Sequence, residues 1–402
     1  MRCVAGGDRT GPTAVSGQTV MESLAKVRLV AVGDIALNGG YEELARKGRA
    51  QEVLSAVTPL LQEADLTLGN LEGPLTERPP VSPPWRHCMR GHPSYASVLR
   101  AAGFNVLNLA NNHIMDYGWD AVAETIERAT AAGIRVFGVG KDLAAARQAL
   151  QVTVNGLKVS FLGYCGVAVR NPLYAAAHQP GVAPASPAQI MEDIAAARGE
   201  SDLLVVCMHW GQEHVGYPSP ANRRLARDMI AAGASLIIGH HPHVLQGAEL
   251  LPGGLVAYSL GNFTFADEDW VGPGRDGRSF VMPMRLSEAA RRTAVLKVDV
   301  ADDAHILTHE LIPAYLGTDL RVTPDPRPER ARELREGSAK LSLPGYTFFW
   351  WASMLKSRAR AVVRQHSVQN PIWRRLHRLR PRHLRGVLRM LGREWEQLRG
   401  VK

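Results

Sequence analysis

Hydrophobic residues in this chain come in short unbroken runs, and each run stops at a glycine, an acid, an amide or a histidine. Val27-Arg28-Leu29-Val30-Ala31-Val32 runs into Gly33-Asp34, and Asp65-Leu66-Thr67-Leu68-Gly69 runs into Asn70-Leu71-Glu72-Gly73-Pro74. Phe104 to Leu109 leads to Ala110-Asn111-Asn112-His113, and Ile134 to Val139 and Val159 to Tyr164 continue the series. Leu203 to Met208 ends in His209-Trp210-Gly211-Gln212-Glu213, and Ser235 to Ile238 ends in Gly239-His240-His241-Pro242-His243. Runs this short, bounded by turn residues and apolar at nearly every position, predict strands buried on both faces.

Helical spacing fills the intervals. Tyr41 to Glu63 reads as one helix with Leu44, Val53, Leu54, Val57, Leu60 and Leu61 as its apolar set. Tyr95–Ala102, Trp119–Ala132, Pro187–Arg198 and Asn222–Ala232 follow the same rule, while the proline-rich stretch from Arg78 to Pro84 reads as a surface loop. Strand, polar cluster, helix, repeated, predicts an α/β fold: a mostly parallel sheet, helix-covered, with ligands at the strands' carboxyl ends. After the histidines the texture changes. Leu255–Leu260, Ser279–Leu286, Thr293–Val300 and Ala304–Pro313 are strand-like without intervening helices, which predicts an antiparallel portion completing a second sheet. A Pro-rich linker, Thr323 to Pro328, follows. The expected organisation is a disordered lead-in over 1–26, a main domain over 27–320 and a basic, Trp/Arg-rich helical region over 321–402.

Length and charge sharpen this picture only at the end of the chain. A 402-residue chain that is 46% hydrophobic and 21% charged has ample material for a large core. Its net charge of +9 is concentrated late, where Arg374-Arg375-Leu376-His377-Arg378-Leu379-Arg380 precedes Leu384, Val387, Leu388 and Leu391 on one helical face. A basic amphipathic helix beside Trp350, Trp351 and Trp373 suits peripheral contact with anionic headgroups, a groove for an anionic polymer, or a helical appendage with a solvated arginine face. No nucleic-acid-binding motif accompanies it, so nucleic acid is not an expected partner. Four cysteines without CxxC or paired spacing argue against a disulfide framework. No run reaches the roughly 18 apolar residues of a membrane span, and no signal-peptide core opens the chain. The expected location is cytoplasmic or peripheral to a membrane.

The chemistry lies at the strand ends. Asp34, Asn70, Glu72, Asn112, His113, His209, His241 and His243 each follow a different run, so the fold would bring them to one rim. Carboxylate, carboxamide and imidazole together suit Mn, Fe or Zn. The set exceeds one ion's needs and fits two divalent metal ions, the alternative being unrelated polar loops. Within His241-Pro242-His243, alternate residues of an extended segment point the same way and share an ion. Asp116 and Glu213 are further acids near the rim, divided between ligand support and loop capping. His87 and His92 read as surface histidines. Ser259 and Ser279 lack a nucleophile elbow, so serine hydrolase chemistry is not expected.

Gly33-Asp34, Gly69 to Pro74, Asn111-Asn112-His113, His209-Trp210-Gly211, Gly239 to His243 and Ser259-Leu260-Gly261-Asn262-Phe263 resemble, in order, the motifs of the CapA family. These are bacterial capsule-synthesis proteins associated with poly-γ-glutamate and related to calcineurin-like metallophosphoesterases. The resemblance covers about residues 27 to 315 and implies a four-layer α/β/β/α sandwich of metallophosphatase type. By position, Asp34, Asn112, His209, His241 and His243 resemble metal ligands, and Glu72 or Asn70 stands where those enzymes carry a bridging aspartate. His113 resembles the general acid or transition-state donor, with Asp116 beside it as the second catalytic candidate. The sequence departs from the usual Asp-x-His opening, since Ile35-Ala36 follow Asp34. The resemblance implies a metal-dependent hydrolase of phosphoester or amide (γ-glutamyl) bonds, serving synthesis, processing or export of an anionic capsular polymer beside membrane-bound synthase partners. The alternative is a non-catalytic accessory that binds the polymer or a synthase partner.

Overall fold

The computed structural model describes residues 25–81, 87–167, 173–273 and 279–369. Strands β1 (Val27–Ile35), β2 (Leu66–Leu71), β3 (Val106–Asn108) and β4 (Arg135–Phe137) form the parallel half of an eight-stranded sheet. A second, six-stranded sheet is centred on Leu203–His209 and Leu236–His240, which run parallel between Leu157–Cys165 and Gly254–Leu260.

The alternation of side chains along a strand explains the layering. Leu29 and Ala31 of β1 point to one face, where they join Leu66 and Leu68 against Phe161, Val205, Cys207, Leu236 and Ile238 of the other sheet. Val30 and Val32 point to the opposite face and pack under Leu61, Leu99 and Val122 from the helical side. In the second sheet, Leu204, Val206 and Ile237 turn outward beneath Ile190 and Ile194 of helix Pro187–Arg198 and Ala226 and Met229 of helix Pro220–Ala232. Helices therefore cover both outer faces, and apolar contact between the sheets fills the middle. Strands apolar on both faces are what such stacking requires, each fully buried Val, Leu or Ile contributing roughly 1.5–3 kcal/mol.

Three expectations need correction. The stretch Tyr41 to Glu63 is not one helix but Gly40–Arg46, a 3-10 turn at Ala50–Val53, and Thr58–Gln62. Gly48, at φ +69, stops the first piece, and Pro59 opens the last. The late antiparallel strands Arg292–Val300 and Ile306–Leu316 complete the first sheet, beside β1, rather than a second one. Only Gly254–Leu260 of that group joins the second sheet, and Ser279–Met284 pairs with Glu268–Pro273 as a separate two-stranded ribbon. The change of sheet happens at Gly261, at φ +75, because Leu260 belongs to one sheet and Asn262 pairs with Asp34 in the other. Two edge strands, Leu150–Val154 and Leu245–Leu251, were not legible from hydrophobic pattern.

The first compact unit extends through Ser353, beyond the expected boundary at 320, and the second is Met354–Lys402. Leu341 is buried, Ser338 Oγ accepts from Ala248 N at 3.0 Å, and the Arg223 guanidinium lies 4.3 Å over the Tyr346 ring. Those contacts bind the segment after the linker to the second sheet. The arginine-rich stretch from Arg374 onward lies outside the described residues, as does most of the expected lead-in. Among the described residues, no helix is long and apolar enough to cross a membrane.

Candidate metal centre

Parallel register brings the polar strand ends together. Asp34 sits opposite Asn70 on one side and Asn262 on the other, Asn70 sits opposite Asn108, and His240 sits opposite His209 in the facing sheet. Asp34, Asn70, Glu72, Asn112, His209, His241 and His243 are all buried.

Amides organise the first-sheet side. Asn70 Nδ2 donates to Asp34 Oδ1 at 2.9 Å, and Asn70 Oδ1 accepts from Asn108 Nδ2 at 2.9 Å and Asn111 Nδ2 at 3.3 Å. The Asn70 carboxamide is thus engaged with its neighbours at both ends. Asp34 Oδ2 accepts from the backbone N–H of His241 at 3.1 Å and lies 3.4 Å from His243 Nδ1. Burial would raise the Asp34 carboxyl, but the hydrogen bond to His243 and the imidazoles of His243, His240 and His209 hold it well below the usual carboxylate range.

His241 and His243 reach the site by a route the sequence did not show. They have φ of +92° and +56°, so this segment is a left-handed turn rather than an extended strand. Such backbone is costly for non-glycine residues and concentrates at functional sites. The turn still gathers the rings, whose centroids lie 5.6 Å apart, and it aims the His241 N–H at Asp34. Asn262 Oδ1, 2.9 Å away, and Asp34 hold His243 through Nδ1, which leaves Nε2 directed to Glu72 Oε1 at 3.8 Å. A ligand imidazole fixed through its other nitrogen in this way has a set tautomer and raised basicity.

Glu72 is the centre of the arrangement. Both carboxylate oxygens are buried without a hydrogen-bond partner, and His241 Nδ1 is likewise buried without one. His209 Nε2 lies 3.7 Å from Glu72 Oε1 and 2.7 Å from Asn112 Oδ1. One ligand atom each from Glu72, His241 and His243 falls within a 4.8 Å cluster. A buried carboxylate without donors costs several kcal/mol. A divalent cation removes that cost, and carboxylate with imidazole suits Mn, Fe or Zn, so the residues present fit a metal. Burial, opposed by the His243 imidazole, pushes Glu72 up to about 8. Burial alone would lower His243, but the Glu72 and Asp34 carboxylates raise it, so the pair retains a proton at neutral pH. A cation must displace that proton. Metal uptake by the metal-free protein should therefore strengthen as pH rises toward about 8 and weaken below neutrality, as titration calorimetry in buffers of different protonation enthalpy would show.

His113 lies at the partly open side. Its Nδ1 donates to Asp116 Oδ2 at 2.7 Å, and the same oxygen accepts from Met89 N at 3.0 Å. The bond to Asp116 fixes the tautomer and orientation of the His113 ring. Farther out lies Glu213: burial would raise its carboxyl, but His243, His241, His214 and His113 hold it low. His87 departs from the expectation of a surface histidine: it is largely covered, pairs with Glu268 and stands beside His113. His92 contacts Ser94 Oγ at 2.9 Å and lies 3.7 Å from Glu77. Asn108, Asn111, His240 and Asn262 complete the surroundings of the candidate ligands. Asn111, His240 and Asn262 stand inside the quoted motifs, whereas Asn108 lies within an apolar run and carried no signal of its own.

Fold and site define the class: a two-sheet α/β protein with a carboxylate–imidazole centre where parallel strands of both sheets end. A family model described as Bacterial capsule synthesis protein PGA_cap matches residues 28–267, and the chain belongs to that family. It is 34% identical over 253 residues to the capsule biosynthesis protein CapA of Bacillus anthracis, covering 61% of each chain. It is 35% identical over 242 residues to the PGA biosynthesis protein CapA of Bacillus subtilis, covering 60% of this chain and 63% of that one. The chain thus spans less than two thirds of the length of these relatives. Among solved structures, a phosphatase of Mycoplasma pneumoniae aligns with 16% identity and a TM-score of 0.47, covering 75% of this chain and 95% of its own.

Proposed function

We propose that this chain is a metal-dependent hydrolase of a phosphoester or amide-type (γ-glutamyl) bond, acting in synthesis, processing or export of an anionic capsular polymer such as poly-γ-glutamate. The observation that carries the reading is the buried Glu72 carboxylate, without donors, among the His209, His241 and His243 imidazoles. The polymer context comes from the family and its curated relatives. Glu72, His241 and His243 would hold one divalent ion, and Asp34, Asn112 and His209 would border a second. Bound there, such ions supply Lewis acidity and lower the pKa of a water. Asn70 and Asn262 fix the carboxylate and imidazole around them. His113, its tautomer set by Asp116, moves a proton at Nε2 to the leaving oxygen or nitrogen.

One observation favours the accessory reading, in which the site binds polymer or a synthase partner without turnover. The position of the usual Asp-x-His imidazole is Ala36, fully buried in the apolar core, so that imidazole is not replaced locally. Peripheral membrane contact through the basic tail belongs to the same proposal.

Elemental analysis of purified wild type beside His241→Ala separates the readings. The expected result is about two equivalents of Mn, Fe or Zn in the wild type, falling by at least half in the variant. Metal-loaded protein is then offered bis(p-nitrophenyl) phosphate and γ-glutamyl-p-nitroanilide. Negligible metal after reconstitution overturns the metal-dependent reading. Metal without turnover of any phosphoester or γ-glutamyl probe favours the accessory.

A further inference from the structure

We infer that His87, anchored by Glu268, is a positioning residue that holds the His113 imidazole in place at the mouth of the site. The inference rests on the hydrolase reading and extends it to two residues outside the family's metal-ligand motifs. His87 and His113 rings meet edge to face, with centroids 6.2 Å apart and planes at 77°. His87 Nε2 pairs with Glu268 Oε1, and their side chains are only 20% and 18% exposed. Glu268 is fixed in turn, because its Oε2 accepts from Asn38 Nδ2 at 2.8 Å.

Asp116 and His87 both hold the His113 ring. Asp116 holds it through Nδ1, and that carboxylate is tied to the His87 segment through Met89 N. Asp116 fixes one edge of the imidazole; rotation about that bond is opposed by the ring of His87. Glu268 opens the strand Glu268–Pro273 of the separate ribbon, whose base is secured by Arg285 Nη1 donating to Glu268 O at 2.6 Å and Leu286 N donating to Asp267 Oδ1 at 2.7 Å. The ribbon thus supplies the wall against which His87 is braced. An imidazole packed loosely against solvent would sample several rotamers, and a proton donor out of line by a fraction of an ångström loses much of its effect.

The test compares wild type, His87→Ala, His87→Gln and Glu268→Gln as metal-loaded, full-length protein. With whichever of bis(p-nitrophenyl) phosphate and γ-glutamyl-p-nitroanilide the wild type hydrolyses, His87→Ala should lower kcat about 10–100-fold with KM within about twofold. Metal content should stay unchanged, and His87→Gln, which keeps a hydrogen bond to Glu268, should recover part of the loss. Loss of metal, or a change confined to KM, would overturn the assignment. A crystal structure of His87→Ala gives a readout independent of turnover: His113 should leave its present rotamer, and an unmoved ring overturns the inference. If the wild type hydrolyses neither probe, the hydrolase reading is what has failed, and the His113 rotamer still decides the positioning role.

Discussion

Glu72→Gln should abolish tight metal binding while leaving the metal-free protein as stable as wild type, or more stable. The two effects have opposite signs because the buried carboxylate is a cost without a cation and an asset with one. Its oxygens accept no hydrogen bond, and burial raises it to about 8. A carboxyl raised in the folded state contributes stability that is fully present at acid pH, below its unfolded value. That contribution is lost as pH rises toward about 8. The amide of the variant does not ionise, so it escapes this loss, and its advantage in the metal-free state should grow over the same pH range. With metal the order reverses. A ligand at 100 times its Kd adds about 2.7 kcal/mol of stability, and the variant forfeits that gain. Thermal unfolding with and without Mn²⁺ or Zn²⁺, at mildly acidic and mildly alkaline pH, tests both signs. A metal-induced rise in Tm equal to that of wild type would remove Glu72 from the centre.

Gly33→Ala should damage the fold severely, because this point of the rim has no room for a methyl group. An added Cβ would lie 1.9 Å from the carbonyl oxygen of Gly261 and 2.8 Å from its carbon. Both are backbone atoms at the point where the chain passes from one sheet to the other, and that carbonyl accepts from Asp34 N at 2.9 Å. No rotamer change relieves such a clash; β1 and the crossover must separate. The expected loss exceeds about 3 kcal/mol, at the upper end for overpacking. In a domain of this size that corresponds to a fall in Tm on the order of 5 °C. Separation also moves Asp34 from the His241 N–H, so metal affinity should fall together with stability. Gly48→Ala is the matched control, because at φ +69 with nothing within 4 Å it meets only backbone strain, about 1–2 kcal/mol. Urea unfolding of the two variants compares them directly, and equal losses would refute the crossover argument.

The sequence by itself determined the strands that form the core and the residues that stand at their ends. Strands buried on both faces must be written as unbroken apolar runs, and a parallel strand must stop where its polar residues begin. Asp34, Asn70, Glu72, Asn112, His209, His241 and His243 were legible for that reason, and the order of their motifs pointed to the family. Where the late strands would go was not legible. Arg292–Val300 reads the same whichever sheet it joins, and the choice was made by a change of sheet at Gly261 that depends on close approach to Gly33. Nor did helical spacing reveal that Tyr41–Glu63 breaks, since its apolar positions serve three short pieces as well as one helix. Within the site, tertiary structure alone decided the division of labour. Asn70 and Asp34 became partners to other side chains, Glu72 was left without donors, and His87 and Glu268, 181 positions apart, met beside His113. Spacing along one strand fixes which residues reach an edge; which atoms then face one another depends on register between strands and packing between sheets, and those are properties of the assembled fold.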